Sequence, residues 1–426
     1  MRLGQVVRGW LPALALVLAV ALSFWLSPPP QGRPDHEYYG EWIVVAPGLG
    51  FVLNHDTDSY LSVSEHPAWL LRPREMRQSR PLYVGLAAAV GYPLTAALRG
   101  AGQLGLLPRW PAAQAAFYGY YGAYLLLNAL ALLGSLLLLR WLVGVYAGAQ
   151  AGWLYWPLAW ILVATPVTKA FFWTAHQQML AAFVPLFCLA LALLVAQSPG
   201  LSWKLLAALS VALGLLPLAY GSFVLVWPAL LLGQWLATRP AAGGRLLPGG
   251  YLLAQGALSA SLFALPTLAW VGLLRLHGTT YYNHETAQYH ELVWLWEARH
   301  LPPAQYLHLV RYRLAEYADT IGLMGWWLAA GLGLLLATWA RQAGPPRLVL
   351  PPVPGLVLAV GLVGFVAFFS LLGFYPSRLT FTLLPLVLVL LAGLLPHWPR
   401  RYAQPLLLAV AAGWHLYVLL SYGPFS

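Results

Sequence analysis

Apolar residues run almost unbroken from Trp10 to Leu26, and again around 112–139, 143–165, 170–197, 250–275, 320–340, 350–373, 378–396 and 403–421. Each run is of spanning length, since roughly 17 to 25 mostly apolar residues carry a helix across a bilayer. The stretch from Lys204 to Ala237 is too long for one crossing at ~1.5 Å per residue. A turn at Tyr220-Gly221-Ser222 divides it into two short crossings and returns Arg239 and Arg245 to the side of Lys204. Residues 81–98 are also apolar, but a crossing there would export Arg140 and Lys204, so this segment is expected to lie in the outer interface.

The pattern predicts an all-α polytopic membrane protein of about eleven crossings, with residues 1–426 forming a single integral membrane domain. Its first external loop covers 28–98 and includes the interfacial helix; the second covers 276–319. Composition agrees, with 60% hydrophobic and 8% charged residues and a mean hydropathy of +0.69. Arg2 and Arg8 precede the first apolar run and place the N-terminus in the cytoplasm, leaving the C-terminus outside. That run is read as an anchor because it is long for a signal peptide and lacks a clear small-residue cleavage site. The expected location is the cytoplasmic (inner) membrane.

Charge sharpens this topology. All twelve acidic residues fall in two windows, 28–80 and 276–319, whereas the rest of the chain carries fifteen Lys and Arg and no acid. Carboxylates are costly in hydrocarbon, so the windows mark a polar external face. The formal net charge of +11 is explained by basic cytoplasmic turns, including Arg140, Lys204, Arg341, Arg347, Arg400 and Arg401, and gives no reason to expect a nucleic-acid partner. The one cysteine, Cys188, excludes an intramolecular disulfide.

The densest polar cluster is Asn54-His55-Asp56-Thr57-Asp58-Ser59-Tyr60, followed by Glu65, His66, Arg72, Arg74, Arg77 and Arg80-Pro81-Leu82-Tyr83. It joins carboxylates that could deprotonate an acceptor to guanidinium groups that could hold a phosphate. External loops of membrane proteins are also ordinarily charged, and an Asp-x-Asp alone is a weak signal.

The order of these residues resembles that in GT-C membrane glycosyltransferases, among them protein O-mannosyltransferases, aminoarabinose transferases and GPI mannosyltransferases. One anchor precedes a large external loop with an acidic element, here Asp56 to Tyr60 with Asp56-Thr57-Asp58 overlapping it. A basic residue beside proline, here Arg80-Pro81, then opens an apolar interfacial helix. The resemblance implies a GT-C-like fold and a polyprenyl-phosphate sugar donor in a membrane lipid environment. It implies Asp56 as catalytic base and Asp58 as its rival or auxiliary. His55, Tyr60, Glu65, Arg80 and Tyr83 would bind substrate, with Arg80 neutralising phosphate. Asp56 and Asp58 could instead hold a divalent cation, Mg or Mn; no other metal ligands are expected. Arg378, at the outer start of a late apolar segment in Phe374-Tyr375-Pro376-Ser377-Arg378, resembles another phosphate-binding position of the family, although an Arg there could also snorkel. The chain departs from several family groups near Gln114 and at Tyr220-Gly221-Ser222, where a basic residue and a Lys-Gly turn are frequent.

The second window contributes His284, Glu285, His290, Glu291, Glu297 and further basic residues. Its histidines lack the i, i+4 spacing of paired helical ligands, so it reads as an interfacial cover over a donor or acceptor cleft, with Trp294 and Trp296 touching lipid. Most of the twenty-one tryptophans are expected in the interfacial belts. His176, beside Gln177 and Gln178 in an apolar segment, could line a substrate cavity or join helices. Lys169, toward the external end of the same segment, could face phosphate or water.

The activity these features imply is transfer of a sugar from a polyprenyl-phosphate donor to a lipid, glycan or protein acceptor on the external face. The alternative is a non-catalytic membrane subunit or scaffold with membrane-protein partners. A transporter is less well matched because paired intramembrane carboxylates are absent from the apolar segments, and glycan polymerases are chemically related competitors.

Overall fold

The computed structural model describes residues 9–30, 39–148, 152–198, 201–238, 249–341, 350–373 and 377–421. Arg2, Arg8, Asp35, Glu37, Arg239, Arg245, Arg347 and the stretch 374–376 lie outside the described residues. The helices are α1 (Trp10–Ser23), α2 (Asp56–Glu65), α3 (Pro81–Gln103), α4 (Ala112–Ala147), α5 (Gly152–Val163), α6 (Pro166–Phe171), α7 (Leu180–Ala196) and α8 (Trp203–Gly214). They continue with α9 (Val226–Ala237), α10 (Gly249–Leu276), α11 (His284–Tyr289), α12 (Val293–Glu297), α13 (Pro303–Ala340), α14 (Pro352–Leu372), α15 (Leu384–Leu394) and α16 (Arg400–Leu420). An antiparallel hairpin, β1 (Gly40–Ala46) and β2 (Leu49–Asn54), lies in the first acidic window.

Among the described residues, seven helices are long and apolar enough to cross a membrane, or eight if the bent α13 counts as one span; four shorter apolar helices accompany them. Contacts at the two ends of the bundle fix their directions. Gly9, at the start of α1, lies so close to the Arg140 guanidinium that a side chain there would collide with it. Arg140 also approaches Tyr155 at 5.7 Å, and Arg400 lies 5.9 Å from the Trp153 ring. Tyr146 donates to the Pro354 carbonyl at 2.8 Å, and Trp398 to Thr338 at 3.0 Å. These contacts gather the end of α4, the starts of α5, α14 and α16, and the end of α13 at one basic end.

The opposite, polar end holds the end of α1, where Ser27 bridges to Gly50, and the end of α16, whose last carbonyls accept from Lys169. It also holds the end of α10, since Trp270 donates to the Gln78 carbonyl at 2.9 Å. Six of the seven long helices, the bent helix and the four shorter ones therefore alternate in direction, as the charge pattern requires. The chain is a multi-pass, all-α membrane protein.

The long helix left out is α3. Although apolar and 23 residues long, it leads away from the basic end. It pairs antiparallel with the first half of α4: the Tyr120 ring occupies the space a Cβ on Gly91 would need, Thr95 lies against Gly119, and Arg99 donates to the Ala112 carbonyl at 3.1 Å. The 204–237 run is divided at Tyr220, between α8 and α9 and their flanking 3-10 turns. In α13, Gly322 has φ 41° and ψ −115°, a backbone state open to glycine, and the helix bends there by 84°. The bend divides a half bearing Arg311, Arg313, Glu316 and Asp319 from an apolar half.

Candidate active site

An irregular loop, 172–178, follows α6 deep in the bundle and must have its carbonyls satisfied there because water is scarce. Asn128, in the middle of α4, donates to the carbonyls of Phe171, Phe172 and Thr174 at 3.2, 2.9 and 2.9 Å. Tyr83 donates to His176 O at 3.0 Å and Tyr121 to Trp173 O at 2.6 Å. The same loop grips the start of α2. Asn54 N donates to the Thr174 hydroxyl at 3.4 Å, Ala175 N donates to the Thr57 hydroxyl at 3.3 Å, and the Asn54 side chain accepts from Asp56 N at 2.9 Å. Asp56 is thus presented from a helix start whose backbone is fastened on both sides.

One carboxylate oxygen of Asp56 accepts from Arg77 at 2.5 Å, while the other lies 3.4 Å from Nε2 of His176. Nδ1 of His176 accepts from Gln178 N at 3.1 Å, which assigns the ring proton to Nε2, toward Asp56. Arg77 lies 4.0 Å over the Tyr60 ring and donates to Ser59. Burial opposes ionisation of Asp56, but the hydrogen bond from His176 and the charge of Arg77 outweigh it and hold the carboxyl well below its ordinary range.

Arg80 donates to the Tyr60 hydroxyl at 3.0 Å and forms an ion pair with Glu285. The two acidic windows therefore meet. Tyr282 N donates to Gln78 at 2.5 Å and Thr279 to Leu71 O at 2.7 Å, fastening the second loop to the first. Burial disfavours the charged form of Glu285, yet Arg80 overcomes this and keeps its carboxyl below the usual value.

These groups line a cavity of about 430 Å³ at the polar end. Asp56, Arg77, Arg80 and His176 form one side, and Glu285 and Glu291 come from the second loop. Arg378 is also in the wall, 5.5 Å from the Phe171 ring, while Phe368, Phe369, Leu372 and Leu218 supply an apolar flank. Polar and charged side chains make up most of the lining, with the apolar flank beside them, so the cavity can meet a ligand that is part anionic and part apolar.

The sequence candidates are therefore unequally placed. Asp56, Arg80, His176 and Arg378 line the cavity. Tyr60 and Tyr83 lie behind it, bonding Arg80 and the His176 carbonyl respectively. Asp58, His55 and Glu65 are exposed and outside the lining. The reason is helical: residues two apart on α2 point about 200° apart, so Asp56 and Asp58 cannot face one cavity. Lys169 is also outside it, donating to the carbonyls of Val418, Leu419 and Ser421 at 2.9, 3.0 and 2.9 Å. Among the described residues no group of three or more His, Cys, Asp or Glu could hold a metal ion.

Glu285 and Glu291 carry more than the cover reading assigned them. Their sequence signal was the carboxylate window itself, but a pairing 205 residues distant has no local signature. Arg77 stood in the polar cluster without anything to distinguish it from Arg72 or Arg74, which do not line the cavity.

No family model matches the chain, nor does any curated protein. Two solved structures are similar. The structure of ArnT from Cupriavidus metallidurans bound to undecaprenyl phosphate gives a TM-score of 0.50 and 16% identity, covering 95% of this chain and 64% of that one. Its apo state gives 0.49 and 18%, with 96% and 64% covered. The chain thus spans less than two thirds of ArnT, and the likeness is one of fold.

Proposed function

We propose that this chain is a glycosyltransferase that moves a sugar, with inversion, from a polyprenyl-phosphate donor to an acceptor on the outer face of the cytoplasmic membrane. The observation that carries this reading is the cavity itself: Asp56 shares it with Arg80 and Arg378, beside an apolar wall. Guanidinium groups suit a phosphate, apolar side chains suit the first prenyl units, and a carboxylate suits an acceptor O–H or N–H. The undecaprenyl phosphate bound by ArnT supports the donor class. Arg140, Arg400 and Arg401 cluster toward the end opposite the cavity, which by the positive-inside bias supports an external cavity.

In the transfer, the acceptor atom attacks the anomeric carbon and the bond to the phosphate oxygen breaks, its electron pair leaving with polyprenyl phosphate. Asp56 takes the acceptor's proton. Its depressed basicity makes this a late event, when the acceptor has bonded to carbon and become strongly acidic. His176 and Arg77 hold the carboxylate in place through its two oxygens. Arg80 and Arg378 offset the charge growing on the phosphate, an electrostatic contribution to the transfer.

The test is consumption of polyprenyl-phosphate sugars by the purified protein in lipid, with Asp56→Asn alongside. Loss of turnover in a variant that still folds supports the reading. Unchanged turnover in Asp56→Asn refutes Asp56 as base, and no turnover of any donor by the native protein favours the scaffold alternative.

A further inference from the structure

We infer that Glu291 is the general acid of this transfer, giving a proton to the departing phosphate while Asp56 receives one from the acceptor. The inference rests on the glycosyl-transfer reading and extends it to a residue in the same cavity. Glu291 comes from the second loop, and its presentation is unusual. His290 and Leu292, on either side of it, have φ of 54° and 60°, two of the three non-glycine residues with positive φ among the described residues. L residues rarely adopt that state, and such outliers persist where surrounding structure imposes them. Here Leu292 N donates to Leu372 O at 2.9 Å and Trp294 Nε1 donates to Leu371 O at 2.9 Å, while the His290 ring lies 3.3 Å from Glu297. The loop is thereby seated on the end of α14 with Glu291 in the cavity wall.

The electrostatic setting distinguishes the two carboxyls. Burial and the charge of Glu285 push Glu291 up to about 7, against the opposing pull of Arg80 and Arg378. Tyr281, His284 and Tyr289 line the same wall. Asp56 is governed by His176 and Arg77 and is pushed the other way. Two titratable groups driven apart in one site are the usual arrangement of an acid and a base. The group that retains its proton near neutrality lies within the influence of the guanidinium groups assigned to the phosphate.

The proton balance is complete. The donor is a phosphodiester with one negative charge, and cleavage of its anomeric C–O bond creates a phosphate monoester whose second ionisation lies near ~6. Glu291–H supplies the proton to the leaving oxygen, Asp56 takes the acceptor's proton, and the strongly acidic Asp56–H then returns a proton through solvent to Glu291.

The experiment is the pH dependence of turnover for the native protein, Glu291→Gln, Glu291→Asp and Asp56→Asn, each reconstituted with a polyprenyl-phosphate sugar. The native rate should be high below pH about 7 and fall above it as Glu291 deprotonates. In Glu291→Gln, kcat should drop on the order of 100-fold at pH 6, the alkaline limb should vanish, and KM for the donor should stay within about twofold; Glu291→Asp should keep a limb. An alkaline limb that persists in Glu291→Gln overturns the inference. If that happens while Asp56→Asn is inactive, only the acid assignment falls. If Asp56→Asn turns over normally, the base assignment beneath it falls instead.

Discussion

Arg80 forms an ion pair with Glu285, 205 residues further along the chain, and so ties the first acidic loop to the second across the cavity. Both side chains are largely buried, at 14% and 22% exposure, so neither charge is well solvated without the other. The carboxylate of Glu285 occupies a guanidinium that a donor phosphate would also seek.

Replacing Glu285 with Gln should therefore have two linked effects. Without ligand the variant should lose about 2 kcal/mol of stability, because Arg80 is left largely buried without its counter-charge. Undecaprenyl phosphate should then raise the melting temperature more in the variant than in the native protein, since the phosphate replaces the missing anion. An equal shift in the two proteins would show that Arg80 does not meet the phosphate.

The two aspartates of α2 should respond very differently to substitution. Asp56→Asn is expected to reduce transfer roughly 100-fold or more. Asp58→Asn, at an exposed position outside the cavity, should stay within about twofold of the native rate. Parallel initial-rate measurements decide this, and comparable losses in both variants would contradict the helical separation of the pair.

The uneven placing of these residues follows from which information is local in the chain. The crossings were legible because hydrocarbon excludes charge and the turns at one end are basic; the division at Tyr220 and the direction of α3, away from the basic end, agree with the same bias. The Asp-x-Asp was visible, but only the rotation of α2 decides that Asp56 faces inward. The pairing of Arg80 with Glu285 depends on how distant loops dock, and no short-range pattern encodes that. The hairpin at 40–54 did have a signal, two runs rich in Val, Ile and Phe around Pro47-Gly48, and Gly48 adopts φ 72° at the turn.

Asn128 lies outside the cavity lining, yet its amide satisfies three carbonyls of the loop that carries His176. Asn128→Leu is close in volume and removes both donors. It should destabilise the protein by about 3 kcal/mol or more and depress transfer through misplacement of the 172–178 loop. Thermal unfolding and turnover together check this; a variant of native stability would mean that water or another side chain replaces the amide.

Asp56 should also make stability depend on pH in a direction its surroundings dictate. The folded protein holds its carboxyl well below the ordinary aspartate range, so the ionised carboxylate stabilises the fold. That contribution is fully present above the unfolded value and is lost as pH falls from about 4 toward the folded value. The melting-temperature gap between native protein and Asp56→Asn should be constant from pH 5 to 8 in its Asp56-dependent part and narrow below about 4. A gap that does not narrow on acidification would show that Asp56 is not held ionised by His176 and Arg77.

Lys169 should separate stability from chemistry. Its ammonium donates to three carbonyls at the end of α16, groups a helix terminus leaves without intrahelical partners and where the helix dipole favours a cation. Lys169→Met keeps most of the apolar stem and removes the donors, leaving those carbonyls to find water at the polar end. The variant should lose about 2 to 4 kcal/mol of stability and become more sensitive to proteolysis near 418–421. Transfer at a temperature where it remains folded should be within about threefold of native, because Lys169 lies outside the cavity lining. Limited proteolysis, thermal unfolding and turnover distinguish this from a phosphate-binding role. Native stability combined with a large rise in KM for the donor would return Lys169 to the site.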